Sequence, residues 1–365
     1  MSASANTVIH PIKPVTPIRT AEPAKHDTGK QESWEWVKLR KIALRQMDKF
    51  IDLLPLVFRN EDLTAVNRMR VTCRRLEEIV DLVYIKPRPS HIKKLRRRLR
   101  LCRKTLGKLR NCDALLALAK SSIAAKRPGS DAWEALQAYL EQSRSRIAAV
   151  SLEKLGRVNL ALPYLRMKRD FSLTRKHRGH TYEAATRAAA GIVYRRIVRS
   201  LDDRWRNFAD AAEKSRHDPC EHVIHGMRIA AKRLRYLTEV MAKLHIEGSK
   251  EALDWLKSVQ ATIGTWHDLE IMERMLRDIV IHKNSFHVEH MVVEHIERLI
   301  RHNQETKRDS AERFFQITRH SPDYQQVKRW VELVLAFHPR KVPPLPKRGD
   351  KHKAQQAASR AGSAN

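Results

Sequence analysis

The chain has 365 residues and a mass of 42.5 kDa, enough for one large domain or two of about 150 residues each. Lys and Arg number 72 against 41 Asp and Glu, a formal net charge of +31, while an apolar content of 42% is still sufficient for a folded core. Self-repulsion on that scale opposes compaction, so composition points to a polyanionic partner, whether nucleic acid, anionic lipid or another acidic polymer. The four cysteines, Cys73, Cys102, Cys112 and Cys220, contain no CxxC pair, which excludes a zinc ribbon and a disulfide framework and fits a reducing cytosol.

Residues 1–32 carry four prolines and no apolar h-region, so a disordered N-terminal segment without a secretory signal is expected. No run of about 18 apolar residues occurs, so no membrane span is expected either, and the cytoplasm is the simplest location. Beyond residue 32, Gly and Pro become scarce, strand-like alternation is absent, and apolar residues recur at spacings of three and four, which predicts an all-α protein. Breaks at Asn60-Glu61-Asp62, Pro87-Arg88-Pro89-Ser90, Pro128-Gly129-Ser130-Asp131 and Arg175–His180 delimit four helices before residue 178. A comparable set follows at 181–213, 217–246, 249–282 and 286–318. The expected organisation is a first helical bundle over 33–177, a second over 178–320, a C-terminal helix within 321–338 and a disordered basic tail over 339–365.

The second half repeats the first. The segment from Val66 to Leu76 lies over that from Ile224 to Leu234 at an offset of 158 residues, matching Arg70 with Arg228, Arg74 with Lys232 and Arg75 with Arg233. Further on, Leu106-Gly-Lys-Leu-Arg110-Asn111 lies over Ile263-Gly-Thr-Trp-His267-Asp268 at an offset of 157.

On a helical wheel Val223, Met227, Ala231, Leu234 and Met241 form an apolar stripe. His225, Arg228, Lys232 and Arg235 fall within about 80° of one another on an adjacent face. The first half repeats the stripe with Val66, Met69, Cys73, Leu76 and Val80, and the basic strip with Arg70 and Arg74. Asn67 and Glu77 replace its outer cations. Such strips are either solvated flanks whose stems cover the core or a binding face, and their repetition favours the face. Arg75 and Arg233 point about 140° away, as either interhelix salt bridges or part of the site. His225 and His267 are either ligand contacts that titrate near neutrality in a basic setting or neutral structural groups, His267 beside Asp268.

The segment Lys86–Arg110 holds twelve cations and no acid in 25 residues. Lys93, Arg97, Arg100, Lys104 and Lys108 share one face, opposite Leu95, Leu99, Cys102 and Leu106. Like charges at i,i+4 destabilise a helix by a few tenths of a kcal/mol per pair, and a solvated face normally mixes signs, so this face reads as a polyanion contact. Its counterpart in the second half keeps Lys250 and Lys257 but adds Glu251 and Asp254.

Catalysis is not indicated. His267-Asp268 resembles a metal dyad, but the aligned first-half pair is Arg110-Asn111. His287, His290, Glu294 and His295 have zinc-compatible spacing without an HExxH pattern and without a mirror in the first half, and Gly-rich phosphate loops are absent. No cofactor or metal is expected, and nothing in the pattern sets an oligomeric state. Nucleic acid is the main rival partner, because counterion release rewards any line of cations. Base recognition by stacking needs aromatic platforms, however, and Trp205, Trp255 and Trp266 fall within apolar periodicity. A third possibility is an acidic protein or lipid surface met by the basic tail.

The segments His225-Gly-Met-Arg-Ile-Ala-Ala-Lys-Arg-Leu-Arg235 and Ile263–Asp268, with their degenerate partners Asn67–Glu77 and Leu106–Asp113, resemble the paired motifs of the CHAD family, the conserved-histidine α-helical domain. The likeness covers about residues 33–318. It implies two four-helix bundles related by a pseudo-twofold axis, with a basic channel between them that binds inorganic polyphosphate. Asn67 departs from the histidine the family often has in the first lobe. No CYTH-like triphosphate tunnel precedes the helices, so the resemblance is to the stand-alone form, for which the family implies association with polyphosphate granules and not catalysis. The candidate contacts are the basic residues named above on the two strips and on the acid-free face, together with Arg75, Arg110, Arg233, Lys257 and His267.

Overall fold

A computed structural model describes residues 34–84, 88–127, 129–158, 164–165, 167–169, 192–218, 220–281, 290–319 and 321–336. The expected terminal segments and the expected boundary at 177–178 lie outside these residues. The protein is all-α: the described residues form helices α1 (Trp34–Arg59), α2 (Leu63–Val83), α3 (Ser90–Thr105), α4 (Gly107–Ala124), α5 (Ser130–Gly156), α6 (Ile192–His217), α7 (Glu221–Lys243), α8 (Ser249–Ile281), α9 (His290–Arg319) and α10 (Pro322–Ala336), with no strand among them. The repeat is visible in the element order. α1, α2, the pair α3–α4, and α5 recur as α6, α7, α8 and α9, followed by α10.

Local chemistry explains the ends. Asp62 caps α2 by accepting the Thr64 N–H at 2.7 Å, which satisfies one of the orphan amides of the first turn. Gly248, at φ +73°, turns the chain into α8, where a Cβ would stand 2.3 Å from the Trp330 ring. That ring is 3% exposed and its indole N–H donates to the Glu247 carbonyl at 2.7 Å, so α10 docks on the glycine turn.

The apolar stripes read from the sequence are core. Met69, Cys73, Val80, Met227, Ala231 and Met241 have no exposed surface, and Leu95, Leu99, Cys102 and Leu106 are equally buried. Burying each such Leu or Met side chain contributes about 1.5–3 kcal/mol. Two apolar clusters result. The first joins α1, α2 and α3 mainly to α6, α7, the first half of α8, and α10. The second joins α4 and α5 to the rest of α8 and to α9. Each cluster takes equivalent helices from both halves, so the two repeats interlock. Cross-half ion pairs add to this: Arg204 reaches Glu78 at 2.6 Å, and Arg75 reaches Glu239 at 2.7 Å.

The acid-free segment departs from its expected single helix. It breaks at Leu106, whereas the equivalent α8 runs unbroken for 33 residues. Arg70 on α2 supplies the reason. Its guanidinium donates to the Arg103 carbonyl at 2.5 Å, which is the acceptor a continuous helix would use for the Gly107 N–H. A Cβ at Gly107 would lie 3.2 Å from the same guanidinium, while Gly264 in α8 faces open space.

Candidate functional site

The helices that carry the repeated motifs, α2, α4, α7 and α8, bring their basic side chains to one place. Lys232 on α7 feels the charges of Arg228, Arg74, Arg110 and Arg70. His267 on α8 feels those of Arg228, Lys232, His225 and Arg110. The His225 and His267 rings stand 5.8 Å apart. Seven of the residues singled out in the sequence, Arg70, Arg74, Arg110, His225, Arg228, Lys232 and His267, therefore make one cluster built by both halves. Among the described residues two carboxylates face it: Glu221 acts on His225, and Arg110 reaches across 158 residues of sequence to pair with Asp268 at 3.2 Å.

The cluster is electrostatically strained. Burial, then the neighbouring Arg228 and the other arginines, pushes Lys232 down to about 6, where an ordinary lysine titrates near 10.4. Burial and the same cations hold His267 down to about 3, and His225 is lowered for the same reasons. Arg70 and Arg228 are each lowered to about 10, chiefly by burial and further by Arg74 and Arg110, with Asp268 partly relieving Arg228. The Arg228 Nε is buried without a hydrogen-bond partner. An anion laid on this surface would relieve all of these costs together. At about 3 the His267 ring is neutral at pH 7 in the free protein, and Lys232 is the group whose charge is poised around pH 6.

Tyr236, which the sequence reading passed over, positions one side of the cluster. Its ring is 6% exposed and its hydroxyl accepts from Arg74 at 3.4 Å. The Arg235 guanidinium stacks 4.8 Å from the ring centroid and that of Arg74 lies at 5.9 Å, within cation–π range. A tyrosine one residue beyond a basic strip is a signal for such anchoring, but its partner comes from the other repeat.

The remaining candidates divide into two groups. Arg75 and Arg235 both hold the buried Glu239 carboxylate, at 2.7 and 2.9 Å. Lys257 pairs with Asp254 of its own helix at 2.7 Å, and Arg233 is exposed, its carbonyl accepting from Arg204. These four are engaged by protein groups or face away from the cluster's mutual repulsion. Lys93, Arg97, Arg100 and Lys104 on α3 and Lys108 on α4 are exposed and form no ion pair with a described residue. Other cations of the same segment are neutralised from α2, where Asp81 holds Arg88 and Arg96 at 2.8 Å and Glu77 meets Arg103 at 3.4 Å. The Arg70–Arg103 bond fastens the C-terminal end of α3 against the buried cluster, so the exposed face begins where the cluster ends.

Of the other motif candidates, His295 lies 2.8 Å from Asp131, His287 falls outside the described residues, and so does the side chain of His290. Among the described residues no group of three or more His, Cys, Asp or Glu is placed to hold a metal ion, and no helix is long and apolar enough to cross a membrane.

Comparison with known proteins places this geometry. A CHAD domain family model matches residues 41–277, the span that contains every motif of the cluster. Among solved structures, the CHAD domain from the plant Ricinus communis superposes with a TM-score of 0.51 at 18% identity, covering 83% of this chain and 93% of that one. PptA from Streptomyces chartreusis superposes with a TM-score of 0.54 at 14% identity, covering 79% of this chain and 98% of the other. No curated protein matches in sequence. With the repeated motifs, the all-α fold and a family match over most of its length, the chain belongs to the CHAD domain family.

Proposed function

We propose that the chain binds inorganic polyphosphate in the basic cluster formed by its two repeats, as a non-catalytic protein of cytoplasmic polyphosphate granules. The observation that carries this reading is the convergence of seven basic side chains from both repeats, against which stand Asp268, itself held by Arg110, and Glu221 beside His225. Keeping so many cations together costs stability unless a polyanion accompanies them, and the exposed face of α3 extends the cationic surface beyond the cluster. The aromatic groups beside it, Tyr236 and Trp266, are buried at 6% and 8% exposure, which suits an unadorned phosphate chain better than stacked bases.

The test is competition between long-chain polyphosphate and single-stranded DNA at equal phosphate concentration. The expected result is that polyphosphate displaces DNA, with a log–log salt slope of about −0.7 per neutralised phosphate if single strands are the guide. DNA winning per phosphate would transfer the site to nucleic acid. Co-sedimentation with isolated granules tests the location.

A further inference from the structure

A cavity of about 500 Å³ opens at the second apolar cluster, between the N-terminus of α5, the middle of α8 and α9. It shares no lining residue with the cationic cluster, and its volume is that of a small-molecule pocket. Its walls are apolar, from Leu118, Leu269, Met272 and Leu299.

Two polar side chains set into those walls have no partner. Asn303, 2% exposed, and Trp133, 5% exposed, both line the cavity. The Asn303 amide nitrogen and the Trp133 indole nitrogen are buried donors without an acceptor among the described residues. Buried donors are ordinarily satisfied, and one left unsatisfied is a stability cost that calls for a reason. Both side chains line the same cavity, so a small turn of each toward it would let one bound molecule with acceptor oxygens satisfy the two donors together.

The charge of the surroundings selects among such molecules. Arg127 and Arg298 line the cavity, are exposed, and make no ion pair with a described residue. The one carboxylate in the lining, Asp131, is faced by His295 at 2.8 Å. Gly129 and Ser130 bring the N-terminus of α5 to the cavity as well, its positive end offset in part by Asp131 in the first turn. We infer that this cavity is a binding site for a small organic anion with an apolar body. The body lies between the leucines, Met272 and the Trp133 ring. Its oxygens accept from Trp133 and Asn303, and its charge is met by Arg127 and Arg298.

The probe is anilinonaphthalene sulfonate, an aromatic anion whose fluorescence rises on leaving water, titrated into the full chain with and without long-chain polyphosphate. One molecule should bind per chain, unaffected by polyphosphate. Arg298→Glu should weaken binding at least tenfold with the helical circular dichroism intact. Asn303→Leu should weaken it comparably while melting at or above the wild-type temperature, because the substitution removes an unpartnered amide. Binding of several molecules per chain, displacement by polyphosphate, or unchanged affinity in Arg298→Glu would overturn the inference and leave a hydrated cavity with surface adsorption. Should Asn303→Leu fail to fold, Arg298→Glu decides alone.

Discussion

Lys232 is predicted to take up a proton when the polyanion binds. With its titration at about 6 in the free protein, roughly one chain in eleven carries the charge at pH 7. A phosphate chain on the cluster favours the ammonium form, so a rise above about 8 in the complex takes up close to one proton per chain. Affinity should then increase by nearly tenfold per pH unit from about 8 to 7 and level off toward 6. The stability consequence has the opposite direction in pH. The unfolded lysine titrates near 10.4 and the folded one near 6, so the unfolded state binds more protons between these values and stability rises with pH across that window. The cost is fully present below about 6 and amounts to roughly 5 kcal/mol at most at pH 7. Lys232→Met should therefore stabilise the free protein at neutral pH, with the gain vanishing near pH 10.4, and should abolish proton uptake while weakening binding. Lys232→Arg should keep the affinity and lose its pH dependence. Calorimetry in two buffers of different ionisation enthalpy reads the uptake. His267→Gln should leave it unchanged, since that ring is neutral at pH 7. Uptake of a full proton persisting in Lys232→Met, or none in the wild type, would refute the reasoning.

Replacing Arg97, Arg100 and Lys104 together with Gln should weaken polyphosphate binding at least tenfold while circular dichroism remains helical, because several fixed cations facing one polymer act jointly although each alone is worth a fraction of a kcal/mol. Glu239→Gln, which strips the carboxylate from both Arg75 and Arg235, should destabilise by about 3 kcal/mol in denaturant unfolding. Asp254→Asn, at the exposed pair with Lys257, should change stability by less than about 0.5 kcal/mol. Gly107→Val should displace the Arg70 guanidinium, 3.2 Å from the added Cβ, and reduce affinity about threefold as one contact of a distributed site, whereas Gly264→Val, facing open space, should not. Filter binding on the two variants compares them directly.

The helical class, the repeat and the four motif segments were legible in the sequence because each rests on a period: 3.6 residues for the apolar stripes, and about 158 residues for the motifs. The buried state of Met69, Cys73, Met227 and Met241 follows from the first of these alone. Partner identity has no period. Nothing in the spacing of Arg75 and Arg235 tells that one buried carboxylate, Glu239, takes both, or that Asp81 of α2 neutralises Arg88 and Arg96 of a segment that is acid-free in sequence. The break at Leu106 is likewise tertiary, since it depends on Arg70 arriving from α2. The poise of Lys232 and the neutrality of His267 depend on how deeply and how closely the arginines of the other repeat approach, and the helical wheel of a single segment carries neither quantity.

The most direct test of the central claim is a crystal structure of the chain with a short polyphosphate bound. The account predicts phosphate oxygens within about 3.2 Å of guanidinium or ammonium groups from both repeats, Arg70, Arg74 and Arg110 from the first and Arg228 and Lys232 from the second. Phosphate bound to the cations of one repeat alone, or resting only on the exposed face of α3 with the cluster empty of ligand, would contradict it.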